Sequence, residues 1–340
     1  MKSWLKKAVV ISAFPALMLS GCGKEDNNSN TAASAVNGSA MPEETAATGE
    51  KLQIVATFYP MVEFTKQIAG EHANVIGLIP SGVEPHDWEP SAKDMAAIQD
   101  ADVFVYNGIV EGWVDTALES AVNPKRNDVE ASSGISLMES VEDEHEHEHE
   151  QEQGNEEAEE GHSHESTLDP HVWLSPVLAQ EEVKTIKEAL IKADPAHKAD
   201  YEIHANAFLA KLQELDKAYR TKLAGASNKT FITQHAAFSY LAKQYGLTQV
   251  PIAGLSPEQE PSAEEMAEVV EFAKEHDVST IFFETLVNPK IAETIATELG
   301  AESAVLNPLE GLTEQEIKDG KTYLDIMYSN LEALNKALNK

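Results

Sequence analysis

From Lys51 onward the chain alternates between two hydrophobic rhythms. LQIVAT (52–57), NVIGLIP (74–80) and DVFVYNG (102–108) are short apolar runs of strand length. Each is followed by apolar residues three and four apart, in MVEFTKQIAG (61–70), AKDMAAIQDA (92–101) and EGWVDTALESAV (111–122), which predicts helices. The pattern restarts near residue 229: KTFITQ (229–234), TQVPIAG (248–254), VSTIFFE (278–284) and SAVLN (303–307) read as strands. Helical spacing lies between them over 236–245, 262–276 and 289–300, and a closing helix is predicted over 313–338. Strand and helix alternating at short intervals predict an α/β fold of parallel sheets with helices packed on them, in two halves. The halves share this pattern without any sequence repeat.

Between the halves the rhythm is purely helical. SPVLAQEEVKTIKEALIKA (175–193) is one predicted helix, ending near Asp194-Pro195. In the next segment Tyr201, Ala205, Phe208, Leu212, Leu215, Tyr219 and Leu223 form one stripe on a continuous helix over 196–224, stopped by Gly225. Such a helix is about 43 Å long, enough to act as a strut across a domain.

Charge changes the picture of what such a chain can bind. The 340 residues hold 58 Asp and Glu against 25 Lys and Arg, a formal −33. Nucleic acid is excluded as a natural partner, because phosphate binding needs clustered positive charge, and cations become the natural ligands. The start of the chain has its own logic. Lys2, Lys6 and Lys7 precede the short apolar stretch AVVISAFPALML, as in a signal peptide spanning 1–21. Leu19-Ser20-Gly21-Cys22 resembles a bacterial lipobox, which makes Cys22 the first mature residue and the site of lipidation. Removing 1–21 takes away three lysines and no carboxylate, moving the charge from −33 to −36. Residues 22–50 are small and polar, a tether between lipid and folded protein. Cys22 is the only cysteine, so a metal site in this chain must use His, Asp and Glu.

Twelve histidines are present. His145, His147, His149, His162 and His164 lie in an acidic run over 139–166. His72, His197, His204 and His276 are isolated; His197 and His204 flank the apolar stripe and are expected to face solvent. Three remain, each beside a predicted strand end: His86 in GVEPHDWEPS, His171 in DPHVWLSP and His235 in TQHAAFSYL. Glu284 ends the apolar strand IFFE, where a lone buried carboxylate needs something positive to meet it. Strand-end loops from two facing halves would bring these four into one cleft, as three imidazoles and a carboxylate. Nearby, Glu84 is a candidate acceptor, Asp87, Trp88, Glu89 and Trp173 are candidates to orient imidazoles or exclude water, with ordinary packing the equal alternative for the two tryptophans, and Asp169 and Pro170 shape the loop aiming His171.

The lipobox, GVEPHDWEPS, DPHVWLSP, TQHAAFSYL and IFFETLVNPK, in this order, resemble the zinc/manganese substrate-binding lipoproteins of ABC importers, over nearly the whole chain from Cys22. The resemblance implies two (β/α) lobes joined by a long rigid helix, with one metal between them. On this reading the N-terminal lobe spans 51–175, the helical linker 176–225 and the C-terminal lobe 226–340. It implies His86, His171, His235 and Glu284 as ligands of a transported Zn²⁺. It also implies a monomer that hands its metal to a membrane permease driven by an ATPase. The lipid on Cys22 would hold it at the outer face of the cell membrane, of Gram-positive type. Zinc-specific relatives tend to carry a His- and acid-rich loop before the second ligand, as this chain does.

Ligand chemistry leans the same way. Three imidazoles and one carboxylate suit tetrahedral Zn²⁺, whereas Mn²⁺ favours more oxygen, and copper or nickel would also bind such a shell. The run with His145, His147, His149, His162 and His164 reads as a low-affinity zinc collector without fixed geometry. Alternatives are a manganese-specific protein or an adhesin of the same family, or a zinc hydrolase with Glu284 as base. The hydrolase needs an open coordination position, and Glu284 lies where a ligand would sit.

Overall fold

The computed structural model describes residues 51–139, 168–259 and 261–340. The expected signal peptide, Cys22 and the tether lie outside these residues, as do His145, His147, His149, His162 and His164.

Eight strands form two sheets. β1 (Leu52–Ala56), β2 (Ala73–Gly77), β3 (Val103–Tyr106) and β4 (Asn127–Glu130) pair in the order β2-β1-β3-β4. β5 (Thr230–Thr233), β6 (Thr248–Pro251), β7 (Thr280–Phe283) and β8 (Glu302–Val305) repeat that topology as β6-β5-β7-β8. Every pairing in both sheets is parallel. The helices are α1 (Tyr59–Ala69), α2 (Ala92–Asp100), α3 (Val114–Ser120), α4 (Pro176–Ala193), α5 (Lys198–Leu223), α6 (Ser239–Tyr245), α7 (Ala263–Glu275), α8 (Lys290–Leu299), α9 (Glu314–Lys318) and α10 (Tyr323–Leu338).

Alternation along the strands builds the layers. Ile54, Ala56, Val103 and Val105 of the first sheet and Phe231 and Phe282 of the second face a shared central core with α1, α4, α5 and α10. Val55 and Phe104 face the other way, under α2 and α3, and Ile232 and Ile281 face α7 and α8. The described residues belong to one compact unit, Gly49–Lys340. The buried face of α5 is Tyr201, Ala205, Phe208, Leu212, Leu215, Tyr219 and Leu223, the stripe read from the sequence. Its 26 residues span about 39 Å. Tyr219 Oη reaches past the core to donate to the Met327 carbonyl on α10 at 2.7 Å, tying the strut to the closing helix.

Three expectations need correction. β4 was not anticipated, because NDVE has no apolar run; only Val129 of its four residues is buried, and pairing with β3 defines it. The closing helix is two helices: Gly320 takes φ 64°, and Thr322 and Asp325 then cap a fresh start. His197 and His204 are half-buried rather than solvent-facing: His197 stacks on His72 at 4.0 Å and bonds Asp194, and His204 Nδ1 lies 3.1 Å from the Ile68 carbonyl. Among the described residues no helix is long and apolar enough to cross a membrane.

Candidate metal centre

Parallel sheets place functional side chains in the loops that follow their strands' carboxyl ends. His86 follows β2, in a loop where its own backbone N–H donates to Glu84 Oε1 at 2.9 Å. His171 precedes the 3-10 turn Val172–Leu174 that leads into α4, whose N-terminus is capped by the Ser175 hydroxyl. His235 follows β5 directly, Glu284 follows β7, and the buried segment 306–312, LNPLEGL, follows β8.

Four of these side chains converge: His86, His171, His235 and Glu310 place one donor atom each within 4.8 Å of all the others. Glu310 Oε1 lies 3.1 Å from His86 Nε2, 3.4 Å from His171 Nε2 and 3.2 Å from His235 Nε2. The two Nε2 atoms of His171 and His235 are 3.3 Å apart. A tetrahedron with bonds of about 2.0–2.1 Å has edges of about 3.4 Å, and these four separations fit such a shell around one zinc-sized ion.

The three histidines expected from the sequence thus come together, and the fourth group departs from expectation. Glu284 does not face the cluster. Its Oε1 accepts from His235 Nδ1 at 2.5 Å and from the His235 backbone N–H at 3.2 Å, on the far side of the ring. The physical reason is geometric: Glu284 ends β7, the neighbour of β5, so its side chain meets His235 from the flank. Asp169 does the same for His171, its Oδ1 accepting from Nδ1 at 2.8 Å and from the backbone N–H at 2.9 Å. With Nδ1–H given to a carboxylate, each ring presents Nε2 to the centre, and loss of the Nε2 proton to an incoming metal leaves the tautomer a metal ligand needs. Glu84 stands 3.8 Å from His86 Nε2, and Trp88 packs on Trp113 at 5.4 Å, as core rather than as a partner of an imidazole.

The electrostatics fit a cation. Burial alone would push the His235 ring toward neutrality, but Glu284 and Glu310 outweigh it and raise it to about 10. His171 is likewise raised against its burial by Asp169 and Glu310. Burial works to raise Glu310 too, yet the three imidazoles hold its carboxyl well below the usual range. A fully buried carboxylate with this much compensation is arranged for positive charge.

Glu310 carried a signal that the sequence reading passed over. It is the only charged residue in LNPLEGL, the same apolar context that drew attention to Glu284. The predicted strand SAVLN stops short of Glu310, and the turn beyond it bears no periodicity.

Comparison with known proteins finds zinc-uptake and zinc-binding relatives. The model of the family "Zinc-uptake complex component A periplasmic" matches residues 54–337. The high-affinity zinc uptake system protein ZnuA of Bacillus subtilis (strain 168) is 51% identical over 338 residues, covering 99% of this chain and 98% of its own. The zinc-binding lipoprotein AdcA of Streptococcus pneumoniae is 47% identical over 85% of this chain, which spans only 56% of AdcA's length. The crystal structure of the Zn(II)-bound ZnuA-like domain of that AdcA superposes with a TM-score of 0.71 at 43% identity, over 86% of this chain and 100% of the domain. Two four-stranded parallel sheets around a helical middle, a closed cluster of three imidazoles and a carboxylate, and a match over five-sixths of the sequence place this chain in the zinc-uptake complex component A family.

Proposed function

We propose that the protein is the extracytoplasmic zinc-binding component of an uptake system: it captures Zn²⁺ with His86, His171, His235 and Glu310 and releases it to an ABC-type permease. The observation carrying this reading is the convergence of three Nε2 atoms and one carboxylate oxygen at tetrahedral spacing. Zinc is favoured over manganese because three of the four donors are nitrogen. Four protein donors supply a complete shell, which suits a carrier; a zinc hydrolase keeps one position for water. Asp169 and Glu284 orient His171 and His235 from behind, and their charge raises ligand basicity.

The N-terminal features fit the same role. Acylated at Cys22, the chain would sit at the outer face of the cell membrane, with 22–50 as its tether. His145, His147, His149, His162 and His164 would gather zinc loosely, since ordering such a segment opposes tight binding. Metal analysis of the mature protein with competitive chelator titration tests the reading: one tight zinc per chain is expected, with weaker sites besides. A deletion strain should grow poorly under chelation and recover with added zinc. Rescue by manganese and not zinc would refute the assignment, as would zinc-dependent ester or peptide turnover.

A further inference from the structure

Trp173 is fully buried two residues beyond His171, in the 3-10 turn that His171 precedes. Its ring meets Phe58 edge-on at 4.9 Å, yet its polar edge does not point back at the N-terminal half. The indole Nε1–H donates to the Pro308 carbonyl at 2.8 Å, two residues before Glu310. Its own carbonyl accepts from Tyr323 Oη on α10 at 2.5 Å. One turn of the chain therefore holds His171 on one side and grips the Glu310 segment on the other.

That segment is held in a costly conformation. Leu309, between Pro308 and Glu310, has φ 59°, one of two non-glycine residues in the left-handed region among those described. Such a backbone is unfavourable for an L-residue and persists only where its surroundings over-determine it. Here the surroundings are explicit. Leu309 is fully buried, and its N–H donates to Asn307 Oδ1 at 2.8 Å. Asn307 and Asn330 exchange hydrogen bonds at 2.9 and 2.7 Å, fixing the upstream end to α10. Trp173 supplies the grip from the opposite half, at the carbonyl next to the strained residue.

We infer that Trp173 is a positioning residue for Glu310, using its indole N–H on the Pro308 carbonyl to aim that carboxylate at the three imidazoles. The inference rests on Glu310 being a metal ligand, and it assigns to Trp173 a partner across the cleft rather than the adjacent His171, whose ring lies 5.2 Å away. Without the N–H, the strained turn can relax and Glu310 swings off the centre, while the three histidines stay in place.

A double-mutant cycle with zinc affinity as readout decides the matter. Trp173→Phe keeps an aromatic ring against Phe58 and removes the donor. It is expected to lower affinity about 10- to 100-fold, the usual effect of losing a group that orients a ligand. In a Glu310→Ala background the same change should have almost no further effect. The Co²⁺-loaded protein supplies a second readout: Trp173→Phe should shift the visible absorption toward that of Glu310→Ala. Equal losses in both backgrounds, or no loss in either, would overturn the inference. If Trp173→Phe does not fold, replacement by benzothienylalanine, which keeps the ring system and swaps N–H for sulfur, carries the same test. Failure of the wild-type protein to bind zinc tightly would instead strike at the proposed function.

Discussion

Two glutamates follow neighbouring strands of the second sheet, both almost fully buried, and they do different work. Glu284 comes straight off β7 and touches His235 on its Nδ1 side. Glu310 comes off the irregular segment after β8 and meets three Nε2 atoms at once. A carboxylate at a strand end is held close to the backbone of the adjacent strand, which suits it to orient that strand's ligand. A carboxylate on a longer loop can reach the middle of the cleft, at the expense of needing the loop braced. Burial and sequence context look alike for the two; the direction of approach separates the proposed ligand from its proposed support.

The largest effects should come from the inner group. A zinc site worth about 10–16 kcal/mol over four ligands puts about 2.5–4 kcal/mol on each, so Glu310→Ala or His171→Ala should weaken zinc binding about 60- to 700-fold. Chelator competition measures this. Glu284→Ala should cost less, about 10- to 100-fold, because it disturbs only the orientation and basicity of His235. If Glu284→Ala proved worse than Glu310→Ala, the two roles would have to be exchanged.

A third buried glutamate sharpens the contrast by lacking imidazoles. Glu182 on α4 has Asn107 Nδ2 as its hydrogen-bond donor, at 3.4 Å, and burial, with help from Glu111, pushes its carboxyl up to about 8. A carboxyl raised in the folded state retains its proton where the unfolded chain has lost it. Its contribution to stability is therefore fully present below the ordinary value of 4.5 and is lost as pH rises toward about 8. Glu182→Gln should remove that slope, by up to about 1.4 kcal/mol per pH unit, in denaturant unfolding of the metal-free protein. The same slope in Glu182→Gln as in wild type would show that this carboxyl is ionised in the fold.

The smallest effect concerns the segment densest in histidine. Glu139 and Leu168 form an antiparallel bridge, so the described chain comes together on either side of residues 140–167. Deleting 142–165 should leave the tight affinity within about twofold, since the cut falls outside that pairing. It should lower only the number of weak zinc sites, counted by equilibrium dialysis.

Much of this was legible in the sequence. Alternating strand and helix rhythms gave both sheets, and the stripe of α5 was read residue by residue, because burial there repeats with the helix period. His86, His171 and His235 stood out for a different reason, sitting just past apolar runs or inside dense short motifs. β4 escaped because pairing, not composition, makes it a strand. Glu310 escaped because its loop has no period; its place depends on Trp173 and Asn330, which are 137 and 20 residues away in the chain. Contacts of that range do not show in local pattern.

Anomalous diffraction from crystals of the zinc-loaded protein tests the central claim most directly. The account predicts a strong zinc peak with His86, His171 and His235 Nε2 and Glu310 Oε1 about 2.0–2.2 Å away, and Glu284 still bonded to His235 Nδ1. A zinc ion ligated by Glu284 instead of Glu310, or one bound only by the histidines of 145–164, would contradict it.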